Sequence, residues 1–343
     1  MHRSKRHITL FLLLFGVTIL FFLLDISFGP LKIPVQDVFR SLAGKKASKD
    51  TWEFIILNYR LPKAITAMLV GMGLSVSGLL MQTLFRNPLA GPDVLGLSSG
   101  SGLGVAFVIM GAGMLPGAVS MFLISSYGVI LASCLGSFAV LMTLLFVARK
   151  LRDTSATLIV GLMFGSFSSA IVGVLTYFST AEQLQKYTFW ALGNLGNLSW
   201  ISISILATAI LLGLVLSIAS VKSLNAMLLG DNYARSLGMD LKKSRLLIIF
   251  STSILAGSIT AFAGPIAFIG LAVPHMAKLV FQTSEHRILF GATLLCGAII
   301  MLLCDMLCQF PGSETVLPIN AITSIIGAPM VIWLVMRKRK IIN

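Results

Sequence analysis

With 343 residues, 57% hydrophobic content, only 11% charged residues and a mean hydropathy of +0.95, the chain has too little polar surface to cover a water-exposed globule. The formal charge of +14 would point to nucleic acid in a soluble chain. Here the cations cluster between apolar segments, so they act as topology signals and the chain is predicted to be an all-α polytopic membrane protein with no nucleic-acid partner.

The first apolar run follows "MHRSKRH" and is not succeeded by a small-x-small cleavage site, which predicts an uncleaved first helix. Dividing the chain wherever charge or turn residues break an apolar run gives spans at 7–28, 61–84, 94–113, 122–147, 156–178, 200–220, 245–263, 266–281, 288–308 and 316–336. That is about ten helices of roughly 20 residues, the eighth on the short side. With the N-terminus inside, the outer side holds Lys186 and a stretch of seven cations from Lys32 to Lys63; eighteen of the remaining nineteen Lys and Arg lie inside. Both termini are therefore expected in the cytoplasm, and the Lys32–Lys63 stretch needs its own reason.

Small residues recur along the second span in "GMGLSVSG" (71–78) and along the fifth at Gly161, Gly165, Ser169 and Gly173, spacings that let helix backbones approach closely. For the fifth span the expectation is a face that meets a second copy or lines a wide translocation path. Proline and glycine interrupt the spans at "LFRNPLAGPDVLGLSSGSG" (84–102), between spans two and three, and at "AFAGPIAFIGLAVPHMAKL" (261–279), between seven and eight. Five spans separate them, so one lies inside and the other outside. That parity predicts an inverted repeat of helices 2–5 and 7–10, with discontinuous backbone marking a path.

No catalytic residues are predicted. The chain lacks a G-x-x-x-x-G-K-[ST] nucleotide loop and an H-E-x-x-H helix, and His275 and His286 lack ligand-spaced partners. The serines of "GLSSGSGLG" (96–104) have no evident base. Cys134, Cys296, Cys304 and Cys308 sit in apolar spans without a thiolate or imidazole set suited to a metal. Asp305, late in span nine, keeps an ion-coupled carrier in view, although near the outer end a single acid can be solvated.

Four blocks in order, "RLPKAITAMLVGMGLSVSGLLMQTLFRNPLAGPDVLGLSSGSGLG" (60–104), "LNAMLLGDNYARSLG" (224–238), "GPIAFIGLAVPHMAKL" (264–279) and "LPINAITSIIGAPMVIWLV" (317–335), resemble the permease subunits of iron-chelate and vitamin B12 ABC importers, the FecCD type. The likeness spans nearly the whole chain. It implies one permease domain over 1–343 in a bacterial inner membrane and a second copy of itself or a paralogous permease. It also implies two cytoplasmic ATPase subunits that use ATP and Mg, with no cofactor held by this chain, and an extracytoplasmic binding protein delivering the cargo. Ferric siderophore is the first cargo implied, with cobalamin or haem second.

Through the same resemblance, Arg60 and Lys63 of "RLPK" match outer cations that meet acidic groups of the binding protein. One departure stands near span ten, where Gln309 occupies the place of an expected arginine. Residues 223–240, between helices six and seven, match the segment that seats in a groove of the ATPase. There Leu224, Asn225, Met227, Leu228, Gly230, Asp231, Ala234, Arg235, Leu237 and Gly238 are the coupling residues. Local signals predict two short helices, the first stopped by Gly230 and the second with Asp231 as N-cap, Arg235 near its C-terminus and Gly238 as stop. Met227, Leu228, Leu229 and Leu237 are expected to form an apolar face, which needs a partner outside the membrane.

Overall fold

The computed structural model describes residues 2–111, 121–123, 125–150, 154–196, 198–309 and 316–339. Arg152, Lys340 and the "FPGS" end of the segment after Gln309 fall outside them. The described chain is almost wholly helical, its one β-type contact an isolated bridge between Gln309 and Val316.

Helix α1 (His2–Ser27) is followed by two short helices, α2 (Val35–Leu42) and α3 (Asp50–Ile55). A π-turn at Ile56–Arg60 runs directly into α4 (Leu61–Leu84), and Pro62, which cannot donate a helical hydrogen bond, follows that irregular turn. A 3-10 turn (Pro92–Leu95) precedes α5 (Leu97–Gly111), and α6 (Ser126–Lys150) and α7 (Thr154–Tyr177) follow. The surface helix α8 (Ala181–Ala191) starts with a capping box in which Thr180 and Gln183 bond each other's backbone. Then come α9 (Trp200–Ala219), α10 (Val221–Leu228), α11 (Asp231–Ser236), α12 (Leu241–Ala263), α13 (Ile269–Phe281), α14 (His286–Cys308) and α15 (Ile319–Arg339).

Each of the ten expected spans falls on a helix. Among the described residues seven are long and apolar enough to cross a bilayer, and three are shorter: Leu97–Gly111, Ile269–Phe281 and Ile319–Trp333. The short eighth span that the sequence predicts is Ile269–Phe281.

α4 is the axis of the bundle. It packs against α9, α12, α13 and α14, and 78% of its most apolar window is buried, against 6% for α1 and 11% for α7. Tight crossings make this burial attainable. At the α4–α14 crossing, Gly71 faces the Gly297 carbonyl and the Ser75 hydroxyl donates to the Thr293 carbonyl at 3.0 Å. At the α4–α13 crossing, Gly78 lies against the carbonyl of Gly270, the acceptor that Pro274, lacking an N–H, leaves without its helical donor. A side chain at Gly78 would occupy that carbonyl, so glycine is required there. α1 is held at its N-terminal end by Phe281, which is fully buried and stacks at 4.8 Å on Phe11.

The second backbone break is largely buried within protein, as irregular backbone at membrane depth requires, whereas the first is buried only in part, as at Ala90, Gly91 and Pro92. In the second break the Ala267 N–H donates to the Asn320 side chain at 3.1 Å, the Ala263 carbonyl accepts from Asn194 at 2.9 Å, and Ile266 is buried. The first is tied to α13: a His275 ring nitrogen lies 2.8 Å from the Pro88 carbonyl, and the Gln82 amide donates to the Leu271 carbonyl at 3.0 Å.

Candidate functional site

At the end of the bundle that the cation count assigns to the cytoplasm, α9 turns into α10 and α11. Gly230, at φ +115 and ψ 151, joins the two helices in a region of backbone space reserved in practice for glycine, and Gly238, at φ +77, ends the second. Both stops fall where the sequence puts them. The cap does not: Gly230 is the N-cap residue, and Asp231 lies inside the first turn with a different task. Its carboxylate accepts from Arg86 and from Arg245, each at 2.6 Å, and Arg86 also donates to the Met227 carbonyl at 3.0 Å. These charge-assisted bonds bind the hairpin to the loop after α4 and to the start of α12. Asp240 caps α12 by accepting the Lys243 N–H at 3.0 Å, and that bond holds its carboxyl below the usual carboxylate range.

The hairpin has two sides. Leu224, Ala226, Met227 and Ala234 are buried against the bundle, whereas Leu228, Leu229, Tyr233 and Leu237 are 45 to 66% exposed. Met227, expected on the outer apolar face, therefore belongs to the inner one, because α10 is only eight residues long and its helical phase turns Met227 toward α4. Tyr233 takes its place on the exposed face; an aromatic outside any span was the signal that could have found it. Arg235 and Gly238 are exposed beside it.

Asn225 makes the third attachment. Its side-chain oxygen accepts the His286 backbone N–H at 2.9 Å, satisfying an orphan donor at the start of α14, and lies 2.9 Å from His286 Nδ1. An amide oxygen only accepts, so Nδ1 carries the proton and Nε2, 2.8 Å from the Thr83 hydroxyl, is the acceptor. A continuous polar chain thus runs from the hairpin through the first turn of α14 to the last turn of α4.

At the opposite end the expected docking cations have other partners. Arg60 is 7% exposed and turned inward, where its guanidinium donates to the carbonyls of Ile26 at 3.0 Å, Ser27 at 2.8 Å and Leu31 at 2.5 Å. It caps the C-terminal end of α1, which corrects the expectation of a surface docking group. Lys63 reaches Asp305 at 2.9 Å, and the Gln309 amide donates to the other oxygen of that carboxylate at 3.0 Å. Asp305 is thus buried and paired, where solvation was expected. Gln309, standing where an arginine was expected, supplies a neutral donor beside a carboxylate that Lys63 already balances. Asp25 is buried in the same cluster. Lys63 and Asp305 line a cavity of about 370 Å³ with Phe189, Gly193, Asn194 and Val316. A larger one, about 630 Å³, lies beside it and shares Phe189 and Asn194.

The stripe on α7 divides into two halves. Gly161 and Gly165 pack on Gly96 and Ser99 at the start of α5, while Ser169 and Gly173 are exposed, and no atom lies within 4 Å of where a Cβ on Gly173 would be. The four cysteines are free thiols. Among the described residues no group of three His, Cys, Asp or Glu could hold a metal ion.

The model of the FecCD transport family matches residues 17–337. The chain belongs to the FecCD transport family. Among curated relatives, the hemin transport system permease protein HmuU of Yersinia pestis is 34% identical over 303 residues, 88% of this chain and 89% of that protein. The vitamin B12 import system permease protein BtuC of Salmonella arizonae is 36% identical over 289 residues, 84% of each chain. A solved structure described as an inward-facing conformation of a metal-chelate type ABC transporter superposes with a TM-score of 0.83 at 27% identity, covering 96% of this chain and 99% of that one. PsaBC from Streptococcus pneumoniae, at 13% identity and a TM-score of 0.53 over 87% of this chain and 94% of that one, shares the fold alone. As a FecCD-type permease, the chain places its apolar, doubly clamped hairpin and its buried ion-pair cluster at opposite ends of a multi-pass membrane bundle.

Proposed function

We propose that the chain, as one permease unit over 1–343 with both termini cytoplasmic, is the membrane-spanning subunit of an ATP-driven importer of a metal chelate, ferric siderophore first. The observation that carries this reading is the hairpin 221–238. Four large apolar and aromatic side chains stand exposed outside the spans on a segment that two arginines and an asparagine fix to α4, α12 and α14. A mobile surface loop would not need three attachments, and a solvent-facing one would not carry Leu228, Leu229, Tyr233 and Leu237. Such a face fits a groove on each of two cytoplasmic ATPase subunits that bind ATP and Mg. The Asn225–His286–Thr83 chain supplies a direct route from that groove to α14 and α4.

A second permease, a copy or a paralogue, would sit against the exposed half of the α7 stripe, Ser169 and Gly173, with the cargo path between. An extracytoplasmic binding protein would approach the outer cavity, where Lys63 is the cation of the pair that remains within reach.

Haem and cobalamin are the second reading, favoured by the cargo of HmuU and BtuC. An ion-coupled carrier is the reading from another class, and the buried Asp305 is what favours it. Proteoliposomes holding the chain, an ATPase subunit and a binding protein would separate them. ATP-dependent uptake of labelled ferric siderophore that survives collapse of the ion gradient supports the proposal. Uptake driven by the gradient without ATP, or failure of any ATPase to co-purify, sinks it.

A further inference from the structure

The groove between the C-terminal end of α1 and helix α2 has no task in the importer reading. It encloses about 380 Å³ and is lined by Leu20, Leu23, Leu24, Phe28, Val35 and Phe39, with Lys32 also on its wall. At the ~30 Å³ that a molecule takes in liquid water, a size close to that of a methylene, this holds on the order of a dozen methylenes. The wall from Leu20 to Phe28 is the last two turns of α1, about 10 Å of helix, and the residue after it, on a span that buries almost none of its apolar window inside the chain. The groove is therefore continuous with the lipid-facing surface.

α2 forms the other wall with its face reversed from that of a water-exposed helix. Asp37, Val38 and Ser41 point inward, while Val35 and Phe39, one turn apart, are more than half exposed. Asp37 is occupied: it accepts from the Ser48 N–H at 2.9 Å and from the Ser48 hydroxyl at 2.8 Å, and lies 3.7 Å from Arg40. Lys32, Lys45, Lys46 and Lys49 follow one another on this same outer segment, against the charge bias of the rest of the chain.

We propose that this groove is a binding site for an anionic phospholipid of the leaflet at the α1 C-terminal end. One acyl chain lies along Leu20–Phe28 and against Val35 and Phe39, and the phosphate is held by Lys32. An acidic protein would account for the cations but not for an acyl-wide apolar slot opening onto the lipid face of α1. A neutral lipid would account for the slot and leave the cations unexplained. The site gives Lys32, the first cation of the outer stretch, a function that does not depend on the importer reading.

The test uses the full-length chain in vesicles of phosphatidylcholine with added phosphatidylglycerol. Spin-labelled versions of each lipid report the motionally restricted population. Wild type is expected to prefer phosphatidylglycerol. Lys32→Glu reduces that preference about five-fold or more, the scale of one basic residue at an anionic surface, and Lys32→Arg keeps it. Leu23→Trp, which fills the slot, lowers the restricted population of both lipids, and unchanged elution from a sizing column shows that the variants are folded. Equal affinity of wild type for the two lipids, or an undiminished preference in Lys32→Glu, overturns the proposal. So does a Lys32→Glu variant that loses a binding protein while keeping its lipid preference, which would make the segment a protein-docking surface.

Discussion

Individual charged side chains decide more in this chain than their scarcity suggests. Lys63 and Asp305 form a largely buried pair beside Asp25, so removing Lys63 leaves two neighbouring carboxyls without their cation, whereas removing Asp305 leaves Lys63 with Asp25 beside it. Lys63→Met is expected to destabilise the protein by about 3 kcal/mol or more, Asp305→Leu by less, and the double variant by clearly less than their sum. Thermal denaturation of the detergent-solubilised protein followed by fluorescence-detected sizing reads this; strict additivity would show that the pair contributes no coupling. Asp37 carries a pH dependence. The Ser48 N–H and hydroxyl hold its carboxyl below the ordinary range, so the folded loop binds fewer protons than the open one. The stabilisation is complete above about pH 4, near the unfolded value, and is lost as pH falls through the lower folded value. The hydrogen-exchange protection factor across residues 35–49, corrected at each pH for the intrinsic exchange rate, should be flat from neutrality down to that point and fall below it in wild type, with Asp37→Asn already low at neutral pH.

Among the elements, the α10–α11 hairpin and the α4 crossings carry the sharpest expectations. Gly230 holds a conformation that costs a side-chain-bearing residue on the order of 1–3 kcal/mol, and Leu237 is exposed on the hairpin's apolar face. Gly230→Leu and Leu237→Asp are expected to leave membrane insertion intact while uncoupling ATP hydrolysis from uptake by ten-fold or more. Transport at the wild-type rate by both would remove the hairpin from the coupling path. Gly78→Val places side-chain atoms on the Gly270 carbonyl at a crossing that cannot widen without moving α13, and overpacking of this kind costs about 1–3 kcal/mol. A lowered melting temperature and reduced yield of folded protein are expected, whereas Gly173→Val, with open space around it in the isolated chain, should leave both unchanged.

For the whole molecule, what was legible and what was not divides along the range of the interaction. Apolar run length and charge between runs are local properties, so the ten spans could be placed, and the glycines at 230 and 238 marked both helix stops. The helices α2, α3 and α8 escaped because they are short and polar, although Thr180 and Gln183 spell a capping box; a search for long apolar runs passes over such segments. Arg60 was misplaced for a different reason. A cation beside an outer helix end reads as a surface group, and only the return of α1 beside the π-turn brings three carbonyls to it. Asp231 likewise has the composition of a cap, yet Arg86 and Arg245 reach it from elements 145 and 14 residues away.

By itself the sequence determined that this chain lives in a bilayer, where its apolar helices lie, and which family it belongs to, because hydropathy and ordered motif blocks are written along the chain. Only the tertiary structure decided which charges pair, that Met227 faces in while Tyr233 faces out, and that half of the α7 stripe is already spent on Gly96 and Ser99. Those outcomes depend on helix phase and on partners far away in sequence, and in a medium without water the buried charges at positions 60, 63 and 305 take the partners that the packing brings to them.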